Sequence, residues 1–239
     1  MSYAQNPYQG QLGDFAALAA ADERSTFITR TYMHLAGAIA LFAALEVVML
    51  NTDIAPTLLH MLSLQWGGLI FFGLFIVVSM VASSWAVSAV SPATQYAGLG
   101  LYVLAESVIF APLLLIADGV DKSVIPSAAM TTAVLFGGLT ATVFITRKDF
   151  SFLRSILVFG GFALMGVIIV AMFAGFHLGA FFLYAVIALA CGYILYDTSN
   201  VLHHYRIGQH VAAALALFAS VALLFYYLVM LFMSMSRRD

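Results

Sequence analysis

The chain consists of long apolar runs separated by short polar breaks. Seven runs approach or exceed the roughly 20 residues that a helix needs to cross a bilayer. They cover residues 28–50, 66–90, 96–117, 125–145, 152–174, 178–202 and 211–235. Apolar and polar positions do not alternate within them, and they are too long for barrel strands. The pattern therefore predicts an all-α membrane protein with seven transmembrane helices.

The breaks between the runs carry the residues that end helices. Ser91-Pro92 ends the second run, because proline cannot continue the helical hydrogen bonds, and Gly175 ends the fifth. Before the first run, residues 1–25 are polar and lack the basic and apolar regions of a signal peptide. We expect a flexible tail over residues 1–25, followed by one transmembrane domain over residues 26–239.

Composition agrees with a lipid-embedded chain. Of 239 residues, 64% are hydrophobic and 8% are charged, whereas soluble domains carry about 25% charged residues. Nine basic residues are too few for a nucleic-acid groove, so no nucleic-acid partner is expected. Cys191 is the single cysteine, which excludes an intrachain disulfide. No nucleophile constellation, zinc-protease motif or phosphate loop appears, so neither an enzyme nor a cofactor is expected.

The basic residues predict the orientation. Seven spans place six of them on the side of the N-terminus: Arg24, Arg30, Arg147, Lys148, Arg154 and Arg206. The other side holds three: Lys122, Arg237 and Arg238. Because basic residues accumulate in cytoplasmic loops, we expect a cytoplasmic N-terminus and an external C-terminus.

Three acidic residues fall within the predicted spans, where a charge is costly. Glu106 lies about 15 Å into the third span, near the midplane; it is either a hydrogen-bonded packing residue or part of an ion or proton path. Asp197 lies nearer the side of the N-terminus. Glu46 is expected at the opposite membrane surface.

Arg30 enters the first span at a depth similar to that of Asp197. The two side chains are expected to pair, with the alternative that Asp197 reaches headgroup water. His34, one helical turn after Arg30, either packs or lines the same region. Three further histidines, His203, His204 and His210, are expected to be solvated in a loop rather than to bind a metal.

Two motifs in this sequence resemble signatures of the Bax inhibitor-1 family of membrane proteins. They are Thr-Arg-Lys-Asp-Phe-Ser-Phe-Leu at 146–153 and Ile-Leu-Tyr-Asp-Thr-Ser-Asn at 194–200. The opening Arg30-Thr31-Tyr32 also resembles the family, and the resemblance covers residues 24–237. The ending Thr-Ser-Asn is similar to the bacterial YccA-like branch. This resemblance implies a bundle of six helices around a central one, and location in a bacterial inner membrane.

The resemblance favours one function, modulation of a membrane protease, and leaves an ion leak channel as the alternative. YccA-like members are linked to a membrane-anchored AAA protease, which implies a modulator of membrane-protein quality control under stress. Other members resemble pH-sensitive calcium leak channels, in which the motif aspartate pairs with an aspartate of the last helix. That alternative implies Ca²⁺ or H⁺ as the transported ion, moving past Asp197 and Glu106.

The sequence departs from the channel pattern in its last span. Matching the C-terminal ends places Tyr227 at the position of the second aspartate, and residues 211–235 contain no acid. Residues 85–95 also lack the basic residues that channel members carry after the second helix. Only Asp197 matches that pattern directly. The candidate ion- or proton-sensing residues are Asp197, Glu106, Arg30 and His34, with the bilayer, an AAA protease and Ca²⁺ or H⁺ as candidate partners.

Overall fold

A computed structural model describes residues 15–88, 91–175 and 179–237. These residues form eight helices: α1 (Ala21–Leu50), α2 (Ile54–Ser63), α3 (Gly67–Ala86), α4 (Pro92–Val120), α5 (Val124–Thr146), α6 (Leu153–Ala174), α7 (Ala180–His203) and α8 (His210–Ser236). All except α2 are long and apolar enough to span a membrane. The prediction of an all-α protein with seven spans is confirmed.

Two features of the helices differ from the prediction. Helix α1 begins at Ala21, seven residues before the predicted span, with Asp22 and Glu23 in its first turn, where acidic side chains favour a helix start. Helix α2 was not predicted as an element; its ten residues are too few to cross the membrane. The predicted end of the second run at residue 90 and the predicted start of the sixth at Leu178 lie outside the described residues.

Helix α8 forms the centre of the bundle. It packs against α1, α3, α4, α5 and α7, whereas α6 packs against α7 at the periphery. Consecutive side chains of α8, among them Leu217 and Phe218, are buried, as expected for a helix that has neighbours on all sides. The last apolar run of the sequence is therefore the central helix.

Small residues bring the remaining helices close together. A Cβ atom at Gly98 of α4 would lie 2.6 Å from both the Ala82 carbonyl oxygen and the Ala86 amide nitrogen of α3. At Gly160 of α6, a Cβ would lie 2.8 Å from the Leu189 side chain of α7. Transmembrane helices use such positions because dispersion contacts, rather than the hydrophobic effect, hold helices together in lipid.

The chain before α1 packs against the loop between α7 and α8. The Ala16 amide donates to the Tyr205 carbonyl oxygen over 2.9 Å, and Ala16 is fully buried. The Arg206 guanidinium lies over the Phe15 ring, 4.7 Å from its centre. Part of the polar segment predicted as the tail is thus docked, while residues 1–14 lie outside the described residues.

The connectivity defines two faces of the bundle. The N-terminal face contains the start of α1 and the loops α3–α4, α5–α6 and α7–α8. The opposite face contains α2 and the loop α4–α5. The candidate functional residues are distributed between the N-terminal face and the interior.

Candidate functional site: buried carboxyl groups

The interior of the bundle contains three acidic side chains. Glu46, Glu106 and Asp197 are 5%, 7% and 8% exposed. They come from α1, α4 and α7 respectively. Among the described residues, no lysine or arginine is buried with them. A buried carboxylate without a cation is costly, so this arrangement favours the binding of a cation or a proton.

Asp197 contacts the central helix. Its Oδ2 atom accepts a hydrogen bond of 2.5 Å from the Ser220 hydroxyl of α8. Tyr193, one turn earlier on α7, and Tyr205 in the following loop interact with its charge. Asp197 is about 9 Å before the end of α7. The carboxyl group therefore lies at the α7–α8 interface, below the N-terminal face.

The predicted pair between Arg30 and Asp197 is not formed. In the described part of the chain, the ion pairs are Lys122–Asp118 and His204–Asp149. The physical reason is the direction of the side chains, which depth along the helix does not determine. Asp197 points to Ser220, whereas the exposed Arg30 lines a cavity of about 250 Å³ together with His210 and residues before α8.

The residue that faces Asp197 also differs from the one identified by matching C-terminal ends. That matching placed Tyr227 opposite the carboxyl group. The structure instead places Ser220 there, seven positions or about two helical turns earlier. The Tyr227 ring packs against Phe182 and Tyr226. A hydroxyl group thus occupies the position facing the motif aspartate.

Glu106 lies deeper in the bundle and is surrounded by aromatic residues. Tyr102, one turn earlier on α4, and Tyr226 of α8 interact electrostatically with its carboxyl group. Tyr226 also packs edge-on against Phe110, with ring centres 5.2 Å apart. Glu106 therefore packs inside the bundle, and it places a carboxyl group beside the central helix.

The surface exposure expected for Glu46 is not observed: the residue lies four positions before the end of α1, towards the opposite face, but its side chain is buried. Both of its carboxyl oxygens are buried and have no hydrogen-bond partner within the described residues. The spacing along α1 contained the signal: buried residues recur every three or four positions at Phe27, Thr31, Leu35 and Ala38, and Glu46 and Met49 continue that stripe. A carboxyl group on the buried stripe points inward whatever its depth.

Arg30 and His34 belong to a separate group at the N-terminal face. The His34 ring donates through Nδ1 to the Arg30 carbonyl oxygen over 2.6 Å. Its Nε2 is 3.2 Å from the Tyr96 hydroxyl, and the two rings stack. The ring of His210, the first residue of α8, lies 4.9 Å from the His34 ring, measured between ring centres. Of the four candidate residues, Arg30 and His34 are therefore adjacent, while Asp197 and Glu106 each occupy a different place.

Asp149 joins the two sequence motifs. The Phe150 amide donates to the Ser199 hydroxyl over 2.9 Å, so the 146–153 motif contacts the 194–200 motif. The Asp149 carboxylate accepts from the Ser151 amide at 2.8 Å and from His204 Nε2 at 3.1 Å. Burial is the largest single influence on the pKa of Asp149 and raises it, but the hydrogen bonds from Ser151 and His204 together outweigh burial, so the pKa lies below its ordinary value.

The histidines near the end of α7 have protein partners. His203 donates through Nδ1 to the Ser199 carbonyl oxygen over 3.0 Å, and His204 contacts Asp149. Over the described ranges, no group of three or more His, Cys, Asp and Glu side chains is placed to hold a metal ion. The three buried carboxyl groups are therefore not placed to hold one metal ion together.

Comparisons with known proteins agree with the two motifs. Residues 24–238 match the family described as Inhibitor of apoptosis-promoting Bax1. The uncharacterized protein PA2604 of Pseudomonas aeruginosa is 32% identical over 168 residues, covering 68% of this chain and 70% of that protein. Protein LIFEGUARD 4 of Arabidopsis thaliana is 31% identical over 144 residues, covering 58% and 57%. An uncharacterized membrane protein of Vibrio cholerae is 28% identical over 117 residues, covering 48% and 52%.

The family match extends over all eight helices. The aligned part covers little more than half of the LIFEGUARD 4 and Vibrio cholerae proteins. It covers a larger part of PA2604, and the family match itself includes both motifs, the three buried carboxyl groups and Ser220. The chain is a multi-pass membrane protein of the Bax inhibitor-1 family.

Proposed function

We propose that this protein is a proton-sensitive cation leak pathway, with Ca²⁺ as the candidate ion. One observation carries the proposal: three carboxyl groups lie inside the bundle, and no buried lysine or arginine accompanies them in the described residues. An apolar interior that contains only acidic charged groups attracts cations and protons and repels anions. Among the functions that the family resemblance implies, this geometry favours the leak pathway over the protease modulator.

Each carboxyl group has a distinct role in this proposal. Asp197 binds a proton or cation near the N-terminal face, where Ser220 holds it against the central helix. Glu106 binds at intermediate depth, beside Tyr102 and Tyr226. Glu46, whose oxygens have no protein partner in the described residues, binds towards the opposite face. The Asp197–Ser220 hydrogen bond closes the α7–α8 interface, and its loss lets the two helices separate.

Flux through purified protein in liposomes tests the proposal. Ca²⁺ release is measured with a fluorescent indicator at pH values between 5 and 8. We expect Asp197→Asn and Glu106→Gln to change both the rate and its pH dependence, because each removes a buried titrating group. Asp53→Asn is the matched control, since Asp53 is an exposed carboxylate on the opposite face. Flux equal to that of empty liposomes, or unchanged in both buried variants, would reject the leak pathway.

A second candidate function is modulation of a membrane-anchored AAA protease. The docked segment favours it: Phe15 and Ala16 attach to the α7–α8 loop, so residues 1–14 precede a fixed point on the N-terminal face. A protease that engages the tail would meet this docked segment next. In this role the protein occupies the inner membrane with its N-terminus in the cytoplasm, where such a protease acts.

Deleting residues 2–14 tests the second candidate. This deletion preserves Phe15 and Ala16, whereas a deletion of residues 2–20 would also remove the docked segment. In bacteria expressing the protease, the deletion is expected to lengthen the lifetime of the protein without reducing its membrane insertion. An equal lifetime for the full chain and the deletion, in the presence and absence of the protease, would reject this candidate.

A further inference from the structure

A small cavity at the N-terminal face is lined by basic and apolar side chains from three helices. Its volume is about 190 Å³. Arg24 from α1, Arg147 from the end of α5 and His203 from the end of α7 contribute the polar part of its wall. The rest is Ile28, Phe144 and Leu202. None of the described residues that line it is acidic. The buried carboxyl groups described above do not border this cavity.

Among the described residues, the two arginines have no charge partner. In the described ranges, neither guanidinium group takes part in an ion pair or a side-chain hydrogen bond. The nearby acids are otherwise placed: Asp22 and Glu23 line the neighbouring cavity beside Arg30, and Asp149 contacts His204. Two cations that converge on one cavity repel each other unless an anion joins them.

Arg147 has a backbone conformation that glycine adopts more readily than arginine. Its φ of 52° is the one positive value outside glycine in the described part of the chain. An L-residue in this region costs about 1–2 kcal/mol, which glycine at the same helix end would avoid. The sequence nevertheless places an arginine there, and the arginine lines the cavity.

The histidine can complete the anion site. Because a carbonyl oxygen can only accept, His203 must donate through Nδ1 to the Ser199 carbonyl oxygen. Its Nε2 is then the nitrogen that remains for a ligand. In the imidazolium form Nε2 also carries a hydrogen, so His203 can then donate to an anion.

We propose that this cavity binds the phosphate group of an anionic phospholipid. Two guanidinium groups match the oxygens of a phosphate, and Ile28, Phe144 and Leu202 provide an apolar wall for the start of the acyl chains. The site lies at the ends of three membrane-spanning helices, at the level of the lipid headgroups. Basic pockets between transmembrane helices are a recurrent form of headgroup recognition. The bound lipid joins α1 to α5 and α7; these two helices pack on each other directly, whereas α1 packs mainly on α4 and α8.

Binding of defined lipids to the detergent-purified full chain tests this proposal, with native mass spectrometry as the readout. Phosphatidylglycerol is the anionic probe, phosphatidylcholine the zwitterionic one, and inorganic phosphate the soluble competitor. Phosphatidylglycerol is expected to bind more tightly than phosphatidylcholine. Arg24→Gln with Arg147→Gly should lower its affinity by roughly thirtyfold, since each basic side chain near a membrane surface contributes about a factor of five.

The variants are chosen so that folding and binding can be separated. Arg147→Gly suits the positive φ, so the lipid-free protein should unfold at the same temperature or higher. Arg154→Gln removes a cation from the same face but outside the cavity, and should leave the lipid preference unchanged. Equal binding of both lipids, a preference that survives the double variant, or an equal loss in Arg154→Gln would overturn the proposal. Displacement of phosphatidylglycerol by millimolar phosphate would assign the site to a soluble anion and overturn the lipid assignment.

Discussion

The Ser220 hydroxyl of α8 donates to the Asp197 carboxylate of α7 over 2.5 Å, inside the bundle. This hydrogen bond ties the helix that carries the family motif to the central helix. It occupies the position at which the sequence had suggested an ion pair with Arg30. A neutral donor leaves the charge of the buried carboxylate uncompensated, which is the basis of the proposed sensitivity to protons and cations.

Removing the Ser220 hydroxyl should destabilise the bundle. Ser220→Ala leaves a buried carboxyl group without its donor, which costs about 1–3 kcal/mol. Thermal unfolding in detergent measures the loss, and the double variant with Asp197→Ala should lose less than the sum of the single variants. Ser107→Ala is the control, because the buried Ser107 hydroxyl bonds within its own helix to the Val103 carbonyl oxygen. Additive losses would show that the two side chains are not coupled.

Enlarging Gly98 should separate α3 from α4. Gly98→Ala places a methyl group 2.6 Å from backbone atoms of Ala82 and Ala86, so the helices must move apart. Overpacking of this kind costs about 1–3 kcal/mol. Gly100→Ala on the same helix is the matched control, since its Cβ would meet nothing within 4 Å. The unfolding temperature of Gly98→Ala is expected to be lower than that of Gly100→Ala. Equal unfolding temperatures would show that α3 and α4 do not pack closely at Gly98.

The Asp149 carboxylate should stabilise the protein at neutral pH and not in strong acid. Its pKa is lower in the folded protein, so its contribution is complete above the ordinary value of about 3.9 and disappears as pH falls through the folded pKa. The unfolding temperature of Asp149→Asn should be lower than that of the parent at pH 6, and the difference should shrink below about pH 4. Because the group is largely exposed, the effect should stay within about 1 kcal/mol. If the difference in unfolding temperature between Asp149→Asn and the parent grew as the pH fell, the predicted direction would be wrong.

Weakening the contact between Phe15 and Arg206 should release the N-terminal segment. The cation–π contact is worth about 0.5–1 kcal/mol at an exposed site. Phe15→Ala and Arg206→Gln should each accelerate limited proteolysis before Ala21, measured by mass spectrometry of the products. Leu18→Ala lies in the same segment but is 77% exposed, so it should have no effect. Equal cleavage rates for all variants would show that this contact does not hold the segment.

The orientation in the membrane is tested by reporters in two loops. The six-to-three distribution of basic residues predicts that a reporter after Asp149 is cytoplasmic and one after Asp121 is external. Enzymatic reporters that are active on only one side of the membrane give the readout. An Asp121 reporter on the cytoplasmic side would reverse the orientation, and with it the leaflet assigned to the phospholipid site.

The apolar runs by themselves determined the number and type of the spanning helices. Hydrocarbon thickness and the need to satisfy backbone hydrogen bonds impose a length that sequence shows directly. The two motifs likewise identified the family, and Asp197 and Glu106 were recognised as costly groups in lipid. Depth along a helix follows from counting residues, so these inferences needed no knowledge of the neighbours.

Only the tertiary structure decided what each side chain faces. Arg30 and Asp197 lie at similar depths, yet Asp197 points to Ser220 and Arg30 to the start of α8, because helix rotation sets the direction. The burial of Glu46 could have been read from its stripe on α1, but its lack of a partner could not. The sequence also could not predict that Arg24, Arg147 and His203 line one cavity. They are distant in sequence and meet only because their helices pack together.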